Sequence, residues 1–126
     1  MIELDHLILP VNDRAASVAF YTRILGFADD GRRGGFSLVR VSAGLTLQIA
    51  EWGTTGGYHL AFAMSAGEFE SVFARVREAG VAFGDSFRSV GNGRGPGDEE
   101  GSRGPGKAIY FFDPNQHLIE IRHHQI

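Results

Sequence analysis

Two stretches of this chain, separated by about half its length, repeat one order of signals: a β-rich run containing a histidine, an amphipathic helix, a terminating glycine, and more extended chain. In the first, LDHLILPV leads to Asn12 or Asp13 as a helix N-cap, then to Ala16, Phe20 and Ile24 on one helical stripe, stopped by Gly26. In the second, YHLAFAM leads to Ser65 and Glu68, spaced as a capping box. Phe69, Val72, Phe73 and Val76 follow at helical spacing, stopped by Gly80.

Each helix is followed by strand patterns divided by turn residues. They are FSLVRVS and LTLQIAE around Ser-Ala-Gly in the first half, and KAIYFF and HLIEIR around Asp113-Pro114-Asn115-Gln116 in the second. Each half therefore reads βαβββ. At 126 residues the chain can bury one core but not two independent ones. The expectation is a single α+β domain over residues 1–126, with module 1 at 1–52 and module 2 at 57–126. Module 2 carries an insertion, residues 84–106, so rich in glycine that the expectation is a long loop without regular structure, either a surface excursion or a mobile lid. Its glycines do not lie between a strand and a helix, so a phosphate-binding turn is rejected.

Composition narrows the chemistry. A net charge of −3 with no basic block longer than Arg32-Arg33 gives no footprint for nucleic acid. No run of about 18 apolar residues suggests a membrane span, and the acidic N-terminal stretch does not resemble a secretory signal, so a cytoplasmic location is expected. Without cysteine there are no disulfides, thiolate metal sites or thiol nucleophiles. Histidine and carboxylate remain as the strong metal ligands.

Strand alternation sorts these groups. In LTLQIA, Leu45, Leu47 and Ile49 share one face, and Thr46, Gln48 and Ala50 the other; in HLIEIR, Ile119 and Ile121 oppose Leu118, Glu120 and Arg122. His59 likewise shares a face with Ala61 and Ala63. His6 and His59 stand in the opening strands of the two halves, Gln48 and Glu120 in the closing strands. These polar faces are either solvated or the lining of one cavity. In the second case two imidazoles, an amide oxygen and a carboxylate converge as a donor set suited to Zn, Ni, Mn, Co or Fe(II). Tyr110, on the face of Ala108 and Phe112, would hydrogen-bond a bound oxyanion or pack at a pocket wall. Arg40 and Arg122 are candidates to pair with a substrate carboxylate. His123 and His124 read as a fraying tail, or as a proton shuttle at a dimer site.

The segments DHLILPVND, YTRILGF, GGYHLAFAM and IYFFDPNQHLIEI together resemble the vicinal oxygen chelate superfamily, which includes glyoxalase I, extradiol dioxygenases, and fosfomycin and bleomycin resistance proteins. The resemblance covers essentially the whole chain. It implies paired βαβββ modules forming cupped mixed sheets, with helices on the outer face and a divalent metal held by His6, His59 and Glu120, and Gln48 at the fourth position. It further implies a homodimer whose sites are shared between subunits. The activity implied is metal-dependent lyase, isomerase or dioxygenase chemistry on a small substrate that presents two vicinal oxygens to the metal, with Glu120 and Tyr110 as the catalytic candidates. The alternative is a drug- or small-molecule-binding resistance module without catalysis. Gln48 stands where bacterial glyoxalase I-like enzymes carry glutamate. No carboxylate lies in FSLVRVS, where methylmalonyl-CoA epimerases keep a catalytic one.

Overall fold

A computed structural model of the chain describes residues 1–124. Residues 125 and 126, which close the second expected module, lie outside the described residues. The chain divides into two compact units, Met1–Thr55 and Gly56–Ile126.

The first unit is a mixed four-stranded sheet with one helical segment. Its elements are β1 (His6–Pro10), α1 (Arg14–Ala19), β2 (Ala28–Arg33), β3 (Phe36–Ser42) and β4 (Leu45–Ala50), in sheet order β1-β4-β3-β2. β1 and β4 run parallel, the connection between them passing through α1, β2 and β3. Of the two candidate caps, Asp13 is the one used: its Oδ1 accepts from the Ala16 N–H at 3.0 Å. The helix then widens into a π-helical segment, Phe20–Ile24, which places Phe20 and Tyr21 on the sheet beside Leu9, Val39, Leu47 and Ile49 in a core closed to solvent.

The second unit repeats the plan with an extra strand. It comprises β5 (His59–Ala63), α2 (Ala66–Glu78), β6 (Phe83–Gly84), β7 (Gly97–Gly101), β8 (Gly104–Phe112) and β9 (Leu118–His124), in sheet order β5-β9-β8-β6 with β7 also paired to β8. Both halves of the capping box form: Ser65 Oγ accepts from the Glu68 N–H at 3.1 Å and Glu68 Oε1 accepts from the Ser65 N–H at 3.0 Å. The helical stripe Phe69, Val72, Phe73 and Val76 is buried as its spacing required, and Ile109, Phe111, Ile119 and Ile121 are wholly buried in the sheet.

Three expectations need correction. In the first helix Ala16 is exposed and Ile24 only half-buried, because the π-helical turn brings Ser17, Phe20, Tyr21 and Leu25 to the buried face instead. The glycine-rich segment is not devoid of regular structure, because residues 97–106 form an antiparallel hairpin whose register runs from Gly97↔Ala108 to Gly101↔Gly104. Glycine disfavours strands on propensity alone, but here it is tolerated because the strand must approach a buried side chain closely. The expected fraying tail is also strand: His123 and His124 pair with Lys107 and Gly106 in β9, and the His123 ring meets Phe69 edge-on at 4.9 Å. Among the described residues no helix is long and apolar enough to cross a membrane.

Candidate metal centre

Register shows how closely the two modules copy one another. In the first, His6 is opposite Thr46, and Gln48 lies two residues further along β4; in the second, His59 is opposite Leu118, and Glu120 lies two residues further along β9. Partners in a ladder point to the same side of a sheet, so each unit presents one histidine and one oxygen donor on one face.

In the second unit this face is a connected polar cluster. The start of β5 is fixed by two bonds: the Tyr58 N–H donates to His117 Nδ1 at 3.2 Å and the Leu118 N–H donates to the Tyr58 carbonyl at 2.8 Å. His117 is wholly buried and itself anchored, its backbone N–H donating to Asp113 Oδ1 at 2.9 Å. Beside this anchor His59 Nε2 lies 3.1 Å from Glu120 Oε1, with the His59 side chain 48% exposed and that of Glu120 only 8%. The other oxygen, Glu120 Oε2, accepts from Arg122 Nη1 at 2.9 Å. Tyr110 stands directly opposite Glu120 in β8. Burial raises the Tyr110 phenol above its ordinary ionisation range, and the negative charges of Glu120 and Glu99 raise it further against the opposing charge of Arg122. The phenol is therefore held protonated.

The first unit offers a simpler pair. His6 Nδ1 meets Asp5 Oδ2 at 2.8 Å. A carboxylate at Nδ1 is the arrangement that leaves Nε2 as the outward lone pair in metal-binding histidines. Leu38 is opposite Gln48 where Tyr110 is opposite Glu120.

The structure therefore brings His59, Glu120 and Tyr110 together and places His6 and Gln48 in the other unit. Among the described residues no three histidine or carboxylate side chains gather at metal-binding spacing within the chain. Neither arginine proposed for a substrate carboxylate is free: Arg40 pairs with Asp30 at 2.9 Å and Arg122 with Glu120. The role of Arg122 as partner of Glu120 was not anticipated. A basic residue two positions on in the same strand, hence on the same face, is the signal that could have revealed it.

Residues 3–121 match the family model described as the glyoxalase/bleomycin resistance protein/dioxygenase superfamily. The chain belongs to this superfamily. The solved structure of the oxidase ChaP-H1 is similar over 99% of this chain and 98% of its own, with a TM-score of 0.83 and 28% identity. The virulence protein STM3117 of Salmonella typhimurium strain LT2 is 28% identical over 94% of this chain and 81% of its own length. TnmS3, an antibiotic binding protein from Streptomyces sp. CB03234, shares the fold at a TM-score of 0.75 with 21% identity, covering 99% of this chain and 98% of its own. Enzymes and resistance or binding proteins thus both stand among the structural neighbours, and the fold is the α+β, two-module one that the sequence resemblance implied.

Superfamily members commonly use divalent metals, and the donor geometry can be tested for fit. Two ligands of one cation, each at about 2.1 Å, subtend about 95° when their donor atoms are as far apart as those of His59 and Glu120, an angle proper to adjacent coordination positions. A neutral imidazole, a carboxylate oxygen and an amide oxygen are donors for a hard or borderline divalent ion. The residues present fit such a group.

Proposed function

We propose that the chain is a metal-dependent enzyme of the glyoxalase/dioxygenase type, acting as a cytoplasmic homodimer on a small substrate that presents two vicinal oxygens. The observation that carries this reading is the His59–Glu120 pair, at chelating separation and open to solvent on the His59 side. Similarity to an oxidase along nearly the whole chain supports it. His59 and Glu120 would hold an Fe, Zn, Ni, Mn or Co ion together with His6, and Gln48 would be a weak fourth ligand or a hydrogen-bond partner of metal-bound water. Bound there, a divalent cation supplies electrophilic stabilisation for negative charge developing on an enolate or catecholate.

The protein's own residues set the rest. Glu120 Oε2 is committed to Arg122, so Oε1 is the oxygen available to a ligand or a proton. Tyr110, held protonated opposite Glu120, does not act as a base. Because each unit carries half of the donor set, a second copy of the chain would complete each site, His6 and Gln48 of one subunit meeting His59 and Glu120 of the other.

Mixing subunits tests this. His6→Ala and His59→Ala proteins should each lose metal, measured by elemental mass spectrometry. Unfolded and refolded together in equal amounts, they should recover about a quarter of the wild-type sites, because half the dimers are mixed and each mixed dimer rebuilds one site of two. No recovery would exclude shared sites, and wild-type protein that neither retains nor takes up metal would exclude the catalytic reading. One observation favours a second reading, a ligand-binding module without catalysis: the charge of Glu120 is already met by Arg122, which lowers its pull on a cation. In that case ligand affinity should survive treatment with chelator.

A further inference from the structure

The two modules carry different residues behind their oxygen donors. In register, Ala108 is opposite Arg122 as Phe36 is opposite Ala50, so Arg122 occupies in the second module the place that Ala50 holds in the first. A neutral amide, Gln48, is accompanied by alanine; a carboxylate, Glu120, is accompanied by a guanidinium.

The guanidinium is held from three sides. Nη1 donates to Glu120 Oε2, while Nη2 donates to the carbonyl of Glu99 at 3.1 Å and to that of Gly104 at 3.2 Å. Both carbonyls belong to the glycine-rich hairpin. The glycines there are not merely turn formers: a Cβ on Gly101 would lie 2.5 Å from Arg122 Cζ, and one on Gly106 would lie 2.6 Å from the His123 carbonyl oxygen and 2.9 Å from Arg122 Nη2. Two glycines thus clear the space that the guanidinium fills, and the backbone between them supplies its acceptors. Arg122 is 5% exposed, so it is out of reach as a substrate anchor.

We propose that Arg122 is a positioning residue: clamped by the glycine-rich hairpin, it holds Glu120 Oε2 so that Oε1 alone is presented beside His59 Nε2. The insertion, on this account, is the mould for the partner of Glu120. Arg122 acts on the chemistry only through Glu120, and its effect on metal rests on the reading of Glu120 as a ligand. Partners that orient a ligating carboxylate from behind are typically worth 10–100-fold in metal affinity.

The test compares wild type with Arg122→Met and Gly101→Ala. The second variant keeps every charge and displaces only the guanidinium, since at Gly101 the added methyl meets the end of the Arg122 side chain. It covers the case in which Arg122→Met does not fold. Co(II) affinity and its visible d–d absorption are measured by titration, and the His59 imidazole nitrogens are followed by NMR in the metal-free proteins. Both variants should bind Co(II) about 10–100-fold more weakly, with an altered d–d spectrum, and should lose the hydrogen-bonded Nε2–H signal of His59. Folded variants with wild-type Co(II) affinity, spectrum and His59 signal would overturn the proposal. If wild type binds no Co(II), the metal reading fails by itself, and the His59 signal still decides: its retention in both variants overturns the positioning role, and its loss upholds it.

Discussion

Removing Arg122 alone should cost far more stability than removing it together with its partner. The ion pair is almost dry, its side chains 6% and 8% exposed. Arg122→Met removes the bond to Glu120 and leaves the carbonyls of Glu99 and Gly104 without that donor. Breaking one side of a buried pair typically costs about 3–5 kcal/mol, whereas replacing both sides by apolar groups of similar volume is often neutral. For a chain of this length the unfolding entropy makes each kcal/mol worth roughly 4 °C in Tm, so the single variant should melt roughly 11–19 °C below wild type. Glu120→Met should fall in the same range, since it strands the guanidinium. The double variant should cost no more than Glu120→Met alone. Urea unfolding at one fixed protein concentration gives the cycle and keeps any dimer contribution constant. A coupling energy of about 2 kcal/mol or more is expected; one below about 0.5 kcal/mol, the level of independent sites, would refute the claim that the pair is a buried unit.

Three further outcomes follow from the same geometry. The raised Tyr110 phenol stays protonated in the fold while the unfolded chain ionises near the ordinary value of 10.0. The unfolded state then binds fewer protons, stability should fall as pH rises above 10, and Tyr110→Phe should flatten that limb in denaturant titrations. Glu68 is held below its ordinary range by its bonds with Ser65, first to the backbone N–H. Its contribution is present above the unfolded value of 4.5 and is lost as pH falls through the folded one, so Glu68→Gln should reduce the acid dependence of stability. Gln116 has a φ of +69°, so Gln116→Gly relieves left-handed strain and should be neutral to about 1 kcal/mol stabilising, read from the urea midpoint.

The modular fold was legible because its signals are local. Capping boxes, stopping glycines and period-3.6 stripes depend on neighbours a few residues apart, and the β-strand faces follow from parity alone. That is why Ser65, Phe69 and Ile119 could be placed correctly from sequence. The hairpin at 97–106 was not legible for the complementary reason. Nothing within Gly97–Gly106 favours a strand on propensity. What makes it one is pairing with β8 and the guanidinium of Arg122, which arrives from β9. His117 escaped notice similarly: in sequence it is the first letter of a strand pattern, and only the fold gives its ring a backbone N–H from Tyr58, nearly half the chain away.

Parity had placed Glu120 and Arg122 on one face but could not say whether that face was wet. The answer depends on whether something covers it, and what covers Arg122 is the segment that composition had marked as a structureless excursion. A carboxylate in near-dry surroundings needs a fixed cation behind it, and that cation needs acceptors of its own. Backbone carbonyls of a side-chain-free strand supply them at close range without bringing in another charge. The glycines of the insertion and the acidity of position 120 are, in physical terms, one requirement: in the first module, with Gln48 and Ala50, the β2–β3 hairpin already ends at the Arg33–Phe36 pair beside Ala50.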